Sequence, residues 1–549
     1  MSTSTASGIS SYDVIVVGAG ISGLAAAESL RKIGCKSLAL LEARDRIGGR
    51  ILTQELQGIP VDLGASCIRG ATGNPLLSLG LRLHSIENVL VFDQRGIKLN
   101  EAESAKLVNK VWAAQQRMQR KKRDAKADFR KSWNINELSG GATRRRSSWW
   151  EKLSGLAHSK PVPSTNTILT DLRQSPELDE LVEDEDDYMS VREWLLNDPQ
   201  FCADIANNTQ YGSLLVDLIN MLEITEGAPL DVISVSHHEK NEFQGPHLYV
   251  ADGLWDLVKI AGGGILAAGN DTLKLNHEVI EIDYSADSDS THPIVIHTNQ
   301  GPFFAKTVIV TLPIGILRSA HTTLFHPPLS YSHQDALDRL EVGLIDKIVI
   351  EFPHSFWPSD LDGFWTFLPP KGVRRGMDFD EGQDTPGLVW FVNIAKVHRK
   401  KTTGEDGPPV LVGHVSQRHA RRIEDMEDEE IEILFLGMLR KCFGMTEDGT
   451  EVVPEPLSFR VTRWQSDPFS MGACVFIPAN ASASVADVIT LSEPIQYPLT
   501  ASSKAHSFGC AAIHFAGEHT SPHHFGTVHG ALMSGVIEAE SVALELGLK

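Results

Sequence analysis

Gly18, Gly20 and Gly23 form a GxGxxG run, and Glu42 follows nineteen positions beyond the last of them. This spacing suits a dinucleotide. The glycines permit a tight turn, close backbone approach to a pyrophosphate and close helix packing, while the amides of the helix they open face the phosphates. A carboxylate at Glu42 accepts hydrogen bonds from ribose hydroxyls and repels the 2′-phosphate of NADP.

Lys347 is the second residue with chemical promise. In GLIDKIVIEF, Gly343 to Phe352, strand alternation sets Lys347, Val349 and Glu351 on one face and Ile348, Ile350 and Phe352 on the other. On these residues alone a solvated strand lysine and a functional one remain equally open. His519, His523, His524 and His529 invite a metal, but their spacing fits no familiar ligand set, so no metal is expected. Cysteines at 35, 67, 202, 442, 474 and 510 form no CxxC pair and read as reduced cytosolic thiols. There is no GxSxG or HExxH to anchor a hydrolase.

These residues need elements to position them. Tyr12 to Val17 reads as a strand, Leu24 to Lys32 as a helix and Lys36 to Leu41 as a second strand, giving a βαβ unit around the glycines. Leu107, Val111 and Met118 recur at helical intervals between Glu101 and Lys131, which predicts a long, largely exposed helix. From 132 to 187 the pattern dissolves into a basic cluster at Arg144 to Arg146 and an acidic run from Pro176 to Asp187, and we expect a partly disordered insertion. Order resumes at Val191 to Leu196. Strand-like segments follow at Glu278 to Ile282, Ile294 to His297, Lys306 to Leu312 and Asp346 to Phe352, and Ile513 to Ala516 opens a last strand-then-helix unit.

A chain of 549 residues exceeds what one hydrophobic core usually serves, so at least two domains are expected. Its net charge of −21 repels phosphate backbones and attracts small cations, which disfavours nucleic acid as a partner. Residues 1 to 11 lack the features of a signal peptide, no apolar run is long enough to span a bilayer, and the C-terminal Gly547, Leu548, Lys549 is no SKL-type address. A cytoplasmic protein without membrane contact is expected.

Glu42 to Arg50, EARDRIGGR, and Asp62 to Ser66, DLGAS, resemble the flavin-binding signature of the monoamine oxidase and polyamine oxidase superfamily. Phe515 to Thr520, FAGEHT, and Gly526 to Ala531, GTVHGA, resemble its C-terminal flavin motif. With Pro353, Phe356, Trp357 and Pro358, the Lys347 segment is similar to the polyamine oxidase and lysine-specific demethylase branch. The resemblance runs from Tyr12 to about Leu546, apart from the insertion.

It implies an α/β FAD-binding Rossmann-type (GR2-like) domain, discontinuous over 8–95, 241–325 and 500–549. An α+β substrate-binding domain would occupy 96–240 and 326–499. The cofactor would be non-covalent FAD, contacted by Gly18, Gly20, Gly23, Glu42, Arg44, Gly49, Arg50, Gly64, Ala65, Ser66, Val279, Trp464, Glu518, Thr527 and Val528. In that comparison Arg50 neutralises the pyrophosphate, Glu518 lies by the ribityl and phosphate region, Val528 offers its amide to the flavin and Val279 meets the adenine. Lys347 would be catalytic, holding a water against the flavin.

The implied reaction is oxidation of an amine C–N bond, of a polyamine, an N-acetylpolyamine or another secondary amine, with dioxygen reduced to hydrogen peroxide. The implied partners are a small amine and dioxygen. There are departures: Cys474 stands where relatives usually carry Tyr, Thr527 matches polyamine rather than monoamine oxidases, and Ser66 and Arg69 replace residues near the substrate mouth. Ala473 takes the place of the cysteine that tethers flavin in monoamine oxidases. An L-amino-acid oxidase, with Arg69 binding the carboxylate, and a FAD-stabilised chromatin-associated protein are the alternatives. The short leader before Tyr12 is expected to leave no room in cis for the helical adaptor of the chromatin demethylases.

Overall fold

The computed structural model describes residues 10–132, 189–238, 243, 245–269, 272–286, 291–369, 387–398, 406–444, 452–479, 483–499 and 501–548. The insertion expected over 132–187 lies outside the described residues, Ser132 excepted. Two large sheets organise the rest.

The first sheet grows from the strand Ser10–Val17, whose Val14 to Val17 are buried. It pairs in parallel with Leu38–Leu41 on one side and with Gly301–Val310 on the other. Leu273–Lys274 extends one edge, Ile513–Phe515 runs parallel to the end of Gly301–Val310, and Val279–Asp283 with Ile294–Thr298 adds an antiparallel flank. The helix Ile21–Ile33 opens at Gly20 and ends at Gly34 in the left-handed conformation, where glycine carries no steric penalty. It packs against the last helix, Val528–Glu545, so tightly that a Cβ at Gly535 would lie 2.1 Å from the Ser22 carbonyl oxygen. That contact sets the start of the first helix against the body of the last.

The second sheet has the order Ser458–Val461, Ile345–Glu351, Val410–Ser416, Gly387–Asn393, Gly363–Leu368, Val89–Val91. Both of its faces are covered, which explains near-continuous apolar runs such as GLVWFVN. Val349, Val412, Trp390 and Trp365 share a core with Leu107, Val111, Met118 and Leu195. Ile348, Ile350, Leu411 and Phe391 share another with Phe435 and Leu439. The helix Glu101–Ser132 therefore covers the Lys347 face with the very residues whose period announced it. The segment at Val191 is a helix, Val191–Asn197, capped by the Ser190 hydroxyl on the Glu193 amide. Among the described residues no helix is long and apolar enough to cross a membrane.

Candidate functional site

At the glycine end, a Cβ on Gly23 would stand 1.9 Å from the Gly18 carbonyl oxygen, so that position admits no side chain. A Cβ on Gly20 would meet no protein atom within 4 Å, and Gly20 caps its helix without a side-chain bond. The result is an open helix N-terminus whose leading amides suit a phosphate. Glu42 is buried and accepts from the amides of Ala19 at 2.7 Å and Arg44 at 2.9 Å. Burial pushes its carboxyl up, against those two amides and the nearby Arg44 and Arg46 charges. Gly49, at φ 57°, brings the EARDRIGGR turn against the Gly20 backbone. Arg44 pairs with Asp467 and lies over the Phe469 ring, 5.0 Å from its centroid. Val279 opens the strand beyond, just after His277, whose amide donates to the Glu42 carbonyl.

At the other end, Arg50 Nη1 donates to Glu518 Oε1 at 2.9 Å and to the Ala473 carbonyl at 2.6 Å. Glu518 Oε2 accepts from the amides of Val475 at 3.2 Å and Gly526 at 3.0 Å. This one carboxylate ties EARDRIGGR, the MGAC segment and the GTVHGA turn together. Thr527 caps the last helix, accepting from the Gly530 amide at 3.0 Å and donating to the His524 carbonyl at 2.7 Å, with Val528 as the first helical residue. Its hydroxyl thus serves the cap. The His524 and His529 rings pack on each other and on Phe243, and burial lowers the His519 pKa to about 4.

Lys347 ties the second sheet to the DLGAS segment. Its side chain is buried, and Nζ donates to the carbonyl oxygens of Asp62 at 2.9 Å and Gly64 at 2.6 Å, inside DLGAS. Burial pushes its pKa down to about 8, with the negative charges of Asp62 and Cys67 acting against it. Burial likewise lifts the Asp62 carboxyl to about 6, opposed by Lys347, the Thr53 hydroxyl and the Leu254 amide. Trp464 pins the same loop through Nε1 to the Leu63 carbonyl at 3.3 Å, and the Ala65 amide donates to the Arg50 carbonyl at 3.2 Å. A Cβ on Gly64 would stand 1.9 Å from that Arg50 oxygen, so DLGAS crosses EARDRIGGR at backbone contact.

A cavity beside Lys347 is lined by Asp62, Ser66, Tyr249, His398 and His414, among others. Arg69, Cys474 and Thr527 lie outside that lining. The buried Cys474 thiol faces the Glu226 carbonyl at 3.5 Å, and burial raises its pKa to about 11 against the pull of the Arg69 charge. Asp62, Tyr249 and His414 are functional candidates that sequence reasoning missed. Asp62 stood inside a recognised motif, but nothing local marked Tyr249 or His414: strand pairing sets His414 opposite Lys347, and packing between separate sheets brings Tyr249 to the same cavity.

The sequence pattern of the flavin containing amine oxidoreductases matches residues 21–543. The chain belongs to that family. Membership carries its class of chemistry, oxidoreduction of amines, and FAD as cofactor, within a Rossmann-type FAD-binding domain and a substrate-binding domain. Human lysine-specific histone demethylase 2 is 27% identical over 542 residues, covering 96% of this chain and 53% of that protein. Lysine-specific histone demethylase 1 homolog 2 of Arabidopsis thaliana is 28% identical over 544 residues, 96% of this chain and 58% of that protein. The chain spans about half the length of these curated relatives. A solved putrescine oxidase, redesigned in its cofactor binding, shares the fold at a TM-score of 0.57 and 19% identity, over 97% of this chain and 99% of that one.

Proposed function

We propose that this member of the family oxidises the C–N bond of a polyamine, an N-acetylpolyamine or another secondary amine, and passes the electrons to dioxygen. FAD, held without a covalent bond, supplies the hydride acceptor. The C–H bond next to nitrogen breaks, its hydrogen leaves with both electrons, and water hydrolyses the resulting imine to a carbonyl compound and a smaller amine. Dioxygen takes up the two electrons and two protons as hydrogen peroxide.

The observation that carries this reading is the buried ammonium of Lys347, held by two carbonyls of the DLGAS segment. It is a group that can hold and deliver a proton beside the reacting centre. Gly18, Gly20, Gly23, Glu42, Arg44, Gly49, Arg50 and Val279 would hold the adenosine and pyrophosphate half. Gly64, Ala65, Ser66, Trp464, Glu518, Thr527 and Val528 would hold the flavin half. Sheet membership supports 8–95, 241–325 and 500–549 as the FAD domain, although Val89–Val91 joins the second sheet. We place the reaction in the cytoplasm, where six unbridged thiols remain reduced, and expect no nucleic-acid partner for a chain of net charge −21.

Two observations favour other amines. The demethylase names of the sequence relatives point to a methylated lysine side chain. The Arg69 charge, which acts on the buried Cys474 thiol, supports an amine that also bears a carboxylate. Peroxide release from the FAD-loaded protein, with polyamines, acetylpolyamines, methyl-lysine peptides and L-amino acids, decides among them. Turnover of a polyamine is expected, slowed about tenfold or more by Lys347→Met. Peroxide from none of the amines would end the oxidase reading.

A further inference from the structure

The Lys347 face of the second sheet carries a row across four strands: Lys347 pairs with His414, His414 with Trp390, and Trp390 with Trp365. Paired residues hold their Cβ atoms about 5 Å apart, so the imidazole of His414 is a neighbour of the lysine stem. His414 Nδ1 lies 3.2 Å from the Trp390 carbonyl oxygen. A carbonyl only accepts, so Nδ1 carries the proton and Nε2 presents a lone pair. Nε2 is buried and meets no partner, and His414 is one of the residues lining the cavity. A buried acceptor left so is costly.

The other groups around the cavity complete the pattern. Trp390 Nε1 donates to the Tyr249 hydroxyl oxygen at 3.2 Å, which leaves the phenol's own proton to be given elsewhere. Lys347 spends two of its three N–H donors on Asp62 and Gly64. One acceptor and two donors around a polar cavity are the complement of a single water molecule. The ring itself stays neutral, because burial, and then the Lys347 charge, drive its pKa down to about 3 against the carbonyls of Trp390 and Val412.

We propose that His414 is a positioning residue for Lys347, its Nε2 accepting a hydrogen bond from a water in this cavity whose oxygen accepts one from the lysine ammonium. This rests on Lys347 being the residue that serves the reacting centre, but on no particular amine. The link favours the charged lysine, in concert with Asp62 and Cys67 beside the DLGAS loop. Tyr249 and His398 face the same cavity from the strand Leu248–Val250 and from beyond the strand Gly387–Asn393.

The test is titration of Lys347 by NMR in the FAD-loaded protein with 13C-labelled lysine, the resonance assigned by Lys347→Met. His414→Leu should lower the Lys347 pKa by roughly half a unit or more, and His414→Gln, which restores an acceptor, should bring it back. Equal titration in wild type and His414→Leu would overturn the proposal. A crystal structure of the wild type gives an answer that needs no variant: a water between His414 Nε2 and Lys347 Nζ is expected, and a dry cavity would refute it. Should the lysine titrate as stated while no amine yields peroxide, the functional reading falls and the role of His414 stands.

Discussion

Lys347 brings a charge to a buried face that also carries Val349, Val412 and Trp390, and that placement governs its pH behaviour. Its pKa falls from 10.5 to about 8, so the unfolded chain binds the extra proton between those values. The lysine's contribution to stability is therefore present above about 10.5 and is lost as pH falls through about 8, on the order of 3 kcal/mol in all. Urea melts of wild type and Lys347→Met across that window should diverge, with the rise toward high pH missing from the variant. Parallel curves would mean that the ammonium is not desolvated. The glycines offer a second test at this scale. Gly20→Ala adds a methyl that meets no protein atom, so stability should hold while FAD affinity drops. Gly23→Ala drives a methyl into the Gly18 carbonyl and should cost roughly 1–3 kcal/mol in its own right. A Gly20→Ala protein that binds FAD as wild type does, by fluorescence titration, would remove the phosphate from that helix start.

Among the elements, the last helix matters most, since its first turn carries Thr527 and Val528 to the junction. It is tied to the first sheet by His514, whose Nδ1 meets Glu538 at 3.1 Å and whose Nε2 meets Glu545 at 3.3 Å. Burial works against a charged imidazole there, but the two carboxylates outweigh it and raise its pKa from 6.5 to about 9. The sign is then opposite to that of Lys347. The stability His514 contributes is complete below 6.5 and fades as pH rises through about 9. His514→Phe should be less stable than wild type at pH 6 and close to it near pH 10, as read from thermal melts. A constant difference at every pH would show that the ring acts through packing alone.

For the whole molecule, the mode of cofactor retention follows from how distant segments meet. The thiol of Cys474 is buried against the Glu226 carbonyl and held up at about 11, so it is no ready thiolate, and Ala473 offers no sulfur. Acid precipitation should release all the flavin as unmodified FAD, and yellow colour retained in the washed pellet would contradict non-covalent binding. The glycine loop, Glu42 and the first βαβ unit were legible in the sequence because adjacent residues decide them: a tight turn, a helix start and a strand end are matters of local sterics and hydrogen bonding. FAGEHT and GTVHGA could be tied to flavin only through resemblance. Alternation separated the two faces of the Lys347 strand but left open what covers them. That was decided by tertiary packing, which set Leu107, Val111 and Met118 over one face and Phe435 and Leu439 over the other. The same packing turned an ambiguous lysine into a desolvated ammonium on the DLGAS carbonyls, and the strand register set His414 opposite it. Such facts depend on contacts between residues tens to hundreds of positions apart, and a sequence pattern records the period of an element without naming the partner it meets.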